Sequence, residues 1–393
     1  MKIVADINIP FVEEAFGTIG SVTTVTGRLL RPEQVRDADI LLVRSVTPVG
    51  QRLLQNSNVK FVGTATIGTD HVDLEYLDKN HIGFASAPGS NAVSAAEYVV
   101  SALVALSQQK SFHLTEKTVG IIGCGNVGSN LLTRLQALGM SCMVYDPPRA
   151  QRFADREYVS WQEVVQADIV SAHVPLTRTG EYPTYHMFDG AFFQQLRENA
   201  IFVNTARGRA VDENALLAVL QNRRDLQLVL DVWQSEPNIN PELLDRTAIA
   251  TSHIAGYSLD GKVRGTQMIY QAVCDHFQVK PSWVTPTLPF ADTYTAMQFD
   301  GTQTDDEVIY QCVLNAYDIL ADDARLRKIK GLEPAQRGEY FDSLRKNYPV
   351  RREFSSYEVN ISQDRSHLTQ VLNGLGFKVE TALAVLRGSD NRI

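Results

Sequence analysis

Three polar residues close apolar runs in this chain: Arg207 in "IFVNTARGRAVDE", Glu236 in "LVLDVWQSEP" and His253 in "IATSHIAGYS". An imidazole titrates near neutrality and can take a hydroxyl proton as a general base. A carboxylate beside it favours the imidazolium and orients the ring. A guanidinium grips a carboxylate at two points and steadies charge on a neighbouring oxygen. The three together suit oxidation of an alcohol by hydride transfer. Singly, each has a plainer reading. Arg207 is then a surface charge, Glu236 beside Pro237 a loop or cap acid, and His253 a structural imidazole.

A dinucleotide fingerprint reverses that balance. Gly123, Gly125 and Gly128 form G-x-G-x-x-G in "TVGIIGCGNVGSNLLTRL", after an apolar run and at the start of a helical pattern. The pattern alone is weak, since glycines mark many turns. In this context Gly123 makes the tight turn, Gly125 admits a pyrophosphate and Gly128 lets the helix pack on its strand. The next apolar run, "SCMVYD", ends in Asp146, about 20 residues on, where a carboxylate meets the adenosine ribose hydroxyls. A carboxylate would repel a 2′-phosphate, so NAD is expected over NADP.

Strands must bring these residues together. "KIVAD", "SVTTVT", "DILLVRS", "VKFVGTA" and "IGFASAP" read as short buried strands alternating with helical patterns, which implies a parallel sheet covered on both faces. "SNAVSAAEYVVSALVALSQQ" reads as a long helix leading into a second α/β domain, where the alternation resumes as far as "AIATSHI". The segment "LDGKVRGTQMIYQAVCDHF" reads as a helix returning the chain to the first domain. The expected fold is α/β: a discontinuous flavodoxin-like substrate domain over 1–95 and 258–290, and a Rossmann NAD domain over 96–257. After an irregular connection at "PSWVTPTLPFADTY", residues 291–393 read as a C-terminal α+β domain. Its helical patterns are "DDEVIYQCVLNAYDILADDARLRKIK", "RGEYFDSLRKNY" and "LTQVLNGLG", with one strand at "FSSYEVNI". It carries no chemical motif, so an accessory or dimerisation role in a homodimer is expected.

The totals agree. The 393 residues suffice for two or three domains, and a net charge of −8 argues against nucleic acid as main partner. No apolar run reaches the roughly 18 residues of a membrane span, and "MKIVADINIP" reads as a first strand rather than a signal peptide. The four cysteines are scattered without a CxxC pair, which fits reduced thiols, no metal site and a cytoplasmic location.

"GCGNVG", "NTARG", "LDVWQSEP" and "SHIAG" resemble the D-isomer-specific 2-hydroxyacid dehydrogenases, over roughly residues 1–285. The resemblance implies a two-domain fold, NAD as cofactor, and Arg207, Glu236 and His253 as the catalytic trio. With "LLVRSVT", "VGTATIGTDHVD" and "SHIAGYSLDGK" it implies a phosphorylated 2-hydroxy acid as substrate, touched by Ser45, Thr66 and Tyr257. Asn126, Val127, Asp146, Thr205, Ala206, Arg207, Asp231 and Gly256 would line the NAD site with the three glycines. Val174 or Pro175 in "HVPLT" would add a further contact. Arg44 is the first candidate for the substrate's phosphate, with Arg345, Arg351 and Arg352 behind it. His71 and His173 are rival bases, read as structural and supporting residues. Two alternatives stay open: 3-phosphoglycerate as substrate, and a non-catalytic NAD-sensing corepressor on the same fold.

Overall fold

A computed structural model describes residues 1–288, 296–299, 301–361 and 365–381. The chain divides into two compact units, Met1–Ala92 with Ser258–Pro289 and Val93–Tyr257 with Phe290–Ile393.

The first unit holds strands β1 (Lys2–Asp6), β2 (Ser21–Val25), β3 (Ile40–Val43), β4 (Phe61–Thr64) and β5 (Gly83–Ala85). They pair in parallel in the order β2-β1-β3-β4-β5, the flavodoxin-like arrangement. β3 and β4 are buried along their full length, which is why they read as continuous apolar runs. On one face Ile3, Ala5 and Phe16 pack with Ile269 and Val273 of the returning helix Leu259–Phe277. On the other, Leu41, Val43 and Val62 pack with Leu53, Leu54 and Leu77. The returning helix starts where Ser258 Oγ accepts from the Gly261 amide at 2.9 Å, an N-cap that satisfies one orphan donor.

The second unit holds β6 (Thr118–Ile122), β7 (Ser141–Tyr145), β8 (Ile169–Ala172), β9 (Ile201–Asn204), β10 (Gln227–Leu230) and β11 (Ile249–Ala250). Their order is β11-β10-β9-β8-β6-β7, and every pair is parallel. The chain winds outward to β7, then crosses back over β6 to β8. That reversal makes a crevice beyond the carboxyl ends of β6 and β8, where open α/β sheets bind ligands.

The C-terminal residues add a small parallel sheet, β12 (Met297–Phe299), β13 (Glu358–Ile361) and β14 (Lys378–Thr381), in sequence order. Helices Asp305–Ala316, Ile319–Arg327, Pro334–Lys346 and Ser366–Leu375 accompany it. The first helical pattern expected here is two helices. Asp318 interrupts it and caps the second by accepting from the Ala321 amide at 3.1 Å. The irregular connection expected over 281–294 has no regular structure as far as Leu288, and its remainder lies outside the described residues.

Two expected boundaries change. The first division falls after Ala92 rather than residue 95, and residues 291–393 do not separate as a module. The reason is a shared core. Val308, Cys312, Leu368 and Leu372 of the C-terminal helices bury their side chains in one cluster with Val119, Leu131 and Leu135 of the NAD-type sheet and its first helix. Within the described residues, no helix is long and apolar enough to cross a membrane.

Candidate active site

The glycine loop follows β6 directly. Gly123 has φ +88°, a left-handed conformation that L side chains rarely adopt. A Cβ on Gly128 would lie 2.1 Å from the Gly123 carbonyl oxygen, so only glycine lets the helix Asn126–Ala137 start this close to its strand. Gly125 is different: a Cβ there would meet nothing within 4 Å. The loop is open on that side, where the unpaired first amides of the helix await an anion.

Asp146, one residue past β7, is fastened to the same loop. Its Oδ2 accepts from the Cys124 amide at 2.7 Å, and its Oδ1 accepts from the Arg149 amide at 3.1 Å. Asn126 is exposed and Val127 half-buried beside it. Val174 packs against the turn, with its Cγ1 3.1 Å from where a Gly123 Cβ would be. The carbonyl of Pro175, the next residue, accepts from Thr184 Oγ1 at 2.5 Å. An open glycine cradle, a helix N-terminus and a placed carboxylate fit the pyrophosphate and adenosine ribose of NAD. Bound here, NAD would supply the hydride acceptor.

Beyond β9 the chain turns through Thr205, Ala206 and Arg207. Asn204, fully buried, shapes this turn: its Oδ1 accepts from the Ala206 amide at 3.0 Å and its Nδ2 donates to the Arg207 carbonyl at 3.1 Å. The Arg207 guanidinium donates back to the Ala206 carbonyl at 2.8 Å. The next residue, Gly208, passes so near the neighbouring strand end that a Cβ would lie 2.0 Å from the Trp233 carbonyl. Glu213 Oε1 accepts from the Gln234 amide at 2.6 Å, and Gln234 Oε1 accepts from the Glu213 amide at 3.2 Å. The Arg207 loop and the Glu236 loop are therefore clamped together by backbone approach and a reciprocal pair.

Glu236 lies in the loop after β10. Its Oε1 accepts from the Trp233 amide at 2.8 Å, and its Oε2 is 2.7 Å from His253 Nδ1. Burial pushes the Glu236 carboxyl up, but the charge and hydrogen bond of His253, the Trp233 amide and Arg345 together hold it below its ordinary value. Glu236 is thus a carboxylate that accepts from Nδ1, which leaves Nε2 of the same ring for a substrate proton. The His253 side chain is about one-third exposed, which a buried structural imidazole would not be.

His253 itself has φ +59°, an uncommon conformation for a residue with a side chain, and strain of this kind gathers at functional sites. Asp231, at the end of β10 and buried, holds the turn there. Its carbonyl accepts from the His253 amide at 2.7 Å. Its Oδ1 accepts from the Ile254 amide and Thr251 Oγ1, each at 2.7 Å, and its Oδ2 accepts from the Ala255 amide at 3.0 Å. Burial works against that charge and raises the carboxyl, in opposition to His253 and these donors. Gly256 follows inside a turn closed by the Tyr257 amide on the Ile254 carbonyl at 2.8 Å.

The rival imidazoles have other partners. His173, one residue past β8, lies against Ser171 Oγ at 2.8 Å and Thr205 Oγ1 at 3.4 Å, and burial pushes it down to about 3. It is neutral at any working pH and supports the Thr205 turn. His71 belongs to the first unit, where burial also lowers it despite Asp70. Its Nε2 is 3.0 Å from Thr64 Oγ1, which is 2.7 Å from Thr66 Oγ1, and Thr66 in turn donates to the Gly68 carbonyl at 3.2 Å. His71 therefore fixes the rotamer of Thr66. Arg44 and Ser45 follow β3 in the same unit, the Arg half-buried and the Ser exposed.

Of the C-terminal cations, Arg351 is committed to structure. It donates to the Ala255 carbonyl at 3.0 Å and the Ser94 carbonyl at 2.6 Å, and lies 3.7 Å over the Tyr317 ring. Arg352 is buried. Arg345 is closer to the chemistry: its guanidinium carbon is 5.7 Å from the Tyr257 ring centre. Asn204, Thr251 and Glu213 are the supporting residues that sequence reasoning did not single out. Each sits within a few residues of a motif, but its role depends on which buried atoms it meets.

Fold and glycine loop together define an NAD-dependent oxidoreductase. The family model described as "D-isomer specific 2-hydroxyacid dehydrogenase, NAD binding domain" matches residues 86–255, and a domain of unknown function matches 289–376. An erythronate-4-phosphate dehydrogenase of Marinobacter nauticus is 44% identical over 97% of this chain and 100% of its own length. The corresponding enzyme of Proteus mirabilis is 45% identical over 96% of this chain and 99% of its own. Among solved structures, an NAD-bound 3-phosphoglycerate dehydrogenase of Entamoeba histolytica shares the fold. It has a TM-score of 0.62 and 24% identity, covering 71% of this chain and 95% of that one. The chain belongs to the erythronate-4-phosphate dehydrogenases, a branch of the D-isomer-specific 2-hydroxyacid dehydrogenase family.

Proposed function

We propose that the protein oxidises 4-phospho-D-erythronate at its 2-hydroxyl to the 2-oxo acid, (R)-3-hydroxy-2-oxo-4-phosphooxybutanoate, a step in pyridoxal 5′-phosphate synthesis. The carrying observation is the 2.7 Å contact between His253 Nδ1 and Glu236 Oε2 on a ring whose side chain stays partly exposed. His253 Nε2 takes the hydroxyl proton as C2 loses hydride. Glu236 fixes the ring and offsets the positive charge that the imidazole acquires. Arg207 holds the substrate carboxylate. Asp231 positions the His253 turn and borders the nicotinamide end, with Thr205, Ala206 and Gly256. Ser45, Thr66 and Tyr257 contact substrate, and Arg44 is a cation for its phosphate.

The relatives that match the whole chain, C-terminal residues included, favour this substrate over 3-phosphoglycerate, whose dehydrogenase matches only 71% of it. Residues 291–393 serve as a dimerisation segment, so the protein is a cytoplasmic homodimer. Assay of NAD reduction with 4-phosphoerythronate and 3-phosphoglycerate side by side tests the assignment. A higher kcat/KM for the four-carbon acid supports it, and preference for 3-phosphoglycerate overturns it. Sedimentation equilibrium tests the dimer.

A further inference from the structure

Arg207, Glu236, His253 and the glycine loop all lie within residues 86–255, matched by the NAD-binding domain model of a family whose members act on different 2-hydroxy acids. Machinery common to different acids does not choose among them. Residues 289–376 match a separate domain of unknown function, and they include the helix Pro334–Lys346. Arg345 lies in its last turn.

The guanidinium of Arg345 sits over the Tyr257 ring at 5.7 Å, and Tyr348 meets the same ring edge-on at 5.8 Å. Tyr257 is four residues past His253 on the same turn. The Arg345 Nε is buried without a hydrogen-bond partner, as is that of Arg351, but Arg345 alone of the two lies over the Tyr257 ring. Burial works against the charge of Arg345, yet Tyr257, Glu236 and Asp231 outweigh it and keep the group firmly cationic. A fixed guanidinium beside an aromatic wall is suited to a planar two-point grip on a phosphate or carboxylate.

We infer that Arg345 is a specificity-determining residue that binds the phosphate monoester of the substrate, so that the C-terminal segment completes the active site. This rests on the reading of the protein as a phosphorylated 2-hydroxy acid dehydrogenase. Arg207 takes the carboxylate at one end of the substrate and Arg345 the phosphate at the other. The competing role is indirect: Arg345 could act only through Glu236, as a charge near the His253 pair.

The test compares wild-type enzyme, Arg345→Met and Arg345→Lys on 4-phospho-D-erythronate and on phosphate-free D-erythronate, with thermal melting and NADH binding recorded for each. Arg345→Met is expected to raise KM for the phosphorylated acid by about 10–100-fold, as loss of a charge-assisted pair does. The phosphate-free acid should lose far less, and Arg345→Lys should recover part of the difference. Inorganic phosphate should compete with substrate in the wild type and about tenfold more weakly in Arg345→Met. Equal losses on both acids, or a displaced pH–rate profile with an unchanged preference between them, would overturn the inference. A wild-type enzyme that oxidises neither acid would instead sink the proposed function. If Arg345→Met melts early, the partial recovery in a stably folded Arg345→Lys decides the matter, and its absence counts against the phosphate role.

Discussion

His253 Nδ1 and Glu236 Oε2 lie 2.7 Å apart although 17 residues separate them in the chain. The chain leaves β10 through the Glu236 loop, forms the short helix Pro241–Arg246 and returns through β11 to present the imidazole. The pair is a product of two adjacent strand ends. His253→Ala is expected to lower kcat by on the order of 10²–10⁴, the usual share of a general base, with NADH affinity retained. Glu236→Gln should fall short of that loss, because the ring keeps a neutral partner. Stopped-flow NADH formation and fluorescence titration measure the two quantities. Near-normal turnover in His253→Ala would remove it as the base.

Asp146 is expected to set the cofactor preference. Its carboxylate is tied to the Cys124 amide in the glycine loop, so it cannot swing aside for a 2′-phosphate. Asp146→Ser is expected to lower kcat/KM for NAD by about 10–100-fold, the value of hydrogen bonds to a charged group. The NAD/NADP ratio should drop with it. Equal wild-type use of both cofactors would contradict the argument.

Gly208 tests whether the two catalytic loops move as one. A Cβ there would lie 2.0 Å from the Trp233 carbonyl and 2.6 Å from the Gln234 amide nitrogen. Gly208→Ala should destabilise the fold by about 1–3 kcal/mol, as overpacking does. It should also cut activity at temperatures where the protein is still folded, since the Arg207 and Glu236 loops must part. Chemical denaturation and initial rates on the same sample read both effects. Full activity would show that the clamp is not needed.

The depressed imidazole of His173 predicts an acid-side loss of stability. Its folded value of about 3 lies below the ordinary 6.5, so protonation favours the unfolded chain. Its contribution is complete above about pH 6.5 and declines as pH falls toward 3. Urea midpoints for wild type and His173→Asn, measured between pH 7 and pH 4, should converge on acidification. The pH–rate profile of the variant should keep its shape, because His253 handles the proton. A lost alkaline rise in that profile would make His173 the base instead.

Much of this was legible before any coordinates. Buried parallel strands are apolar along their length, so β3, β4, β8 and β9 announced themselves as "ILLV", "FVGT", "IVSA" and "IFVN". Gly123 and Gly128 were legible because φ +88° and a 2.1 Å approach exclude any side chain. The Glu236–His253 contact was legible because parallel strands put their carboxyl ends at one edge of a sheet, so polar residues that end successive strands become neighbours.

Other features had no linear signature. Asp231 read as a cofactor contact, but its carboxylate also holds the left-handed turn of His253, which depends on three amide and hydroxyl donors converging on it. The C-terminal residues read as a separate module, and the core they share with Leu131 and Leu135 joins them to the NAD-type unit. Arg345 read as one of three lesser phosphate candidates in a basic stretch, and only its packing beside Tyr257 sets it apart from Arg351 and Arg352. Periodicity, glycine conformation and strand ends are local properties, so the sequence alone determined the two α/β sheets, the dinucleotide loop and the residue types of the reaction. Which buried partner each polar group finds is set by contacts between segments tens of residues apart. Only tertiary packing decided that Asp231 would hold the His253 turn, that Asn204 and Glu213 would brace the neighbouring loops, and that a C-terminal arginine would stand beside Tyr257.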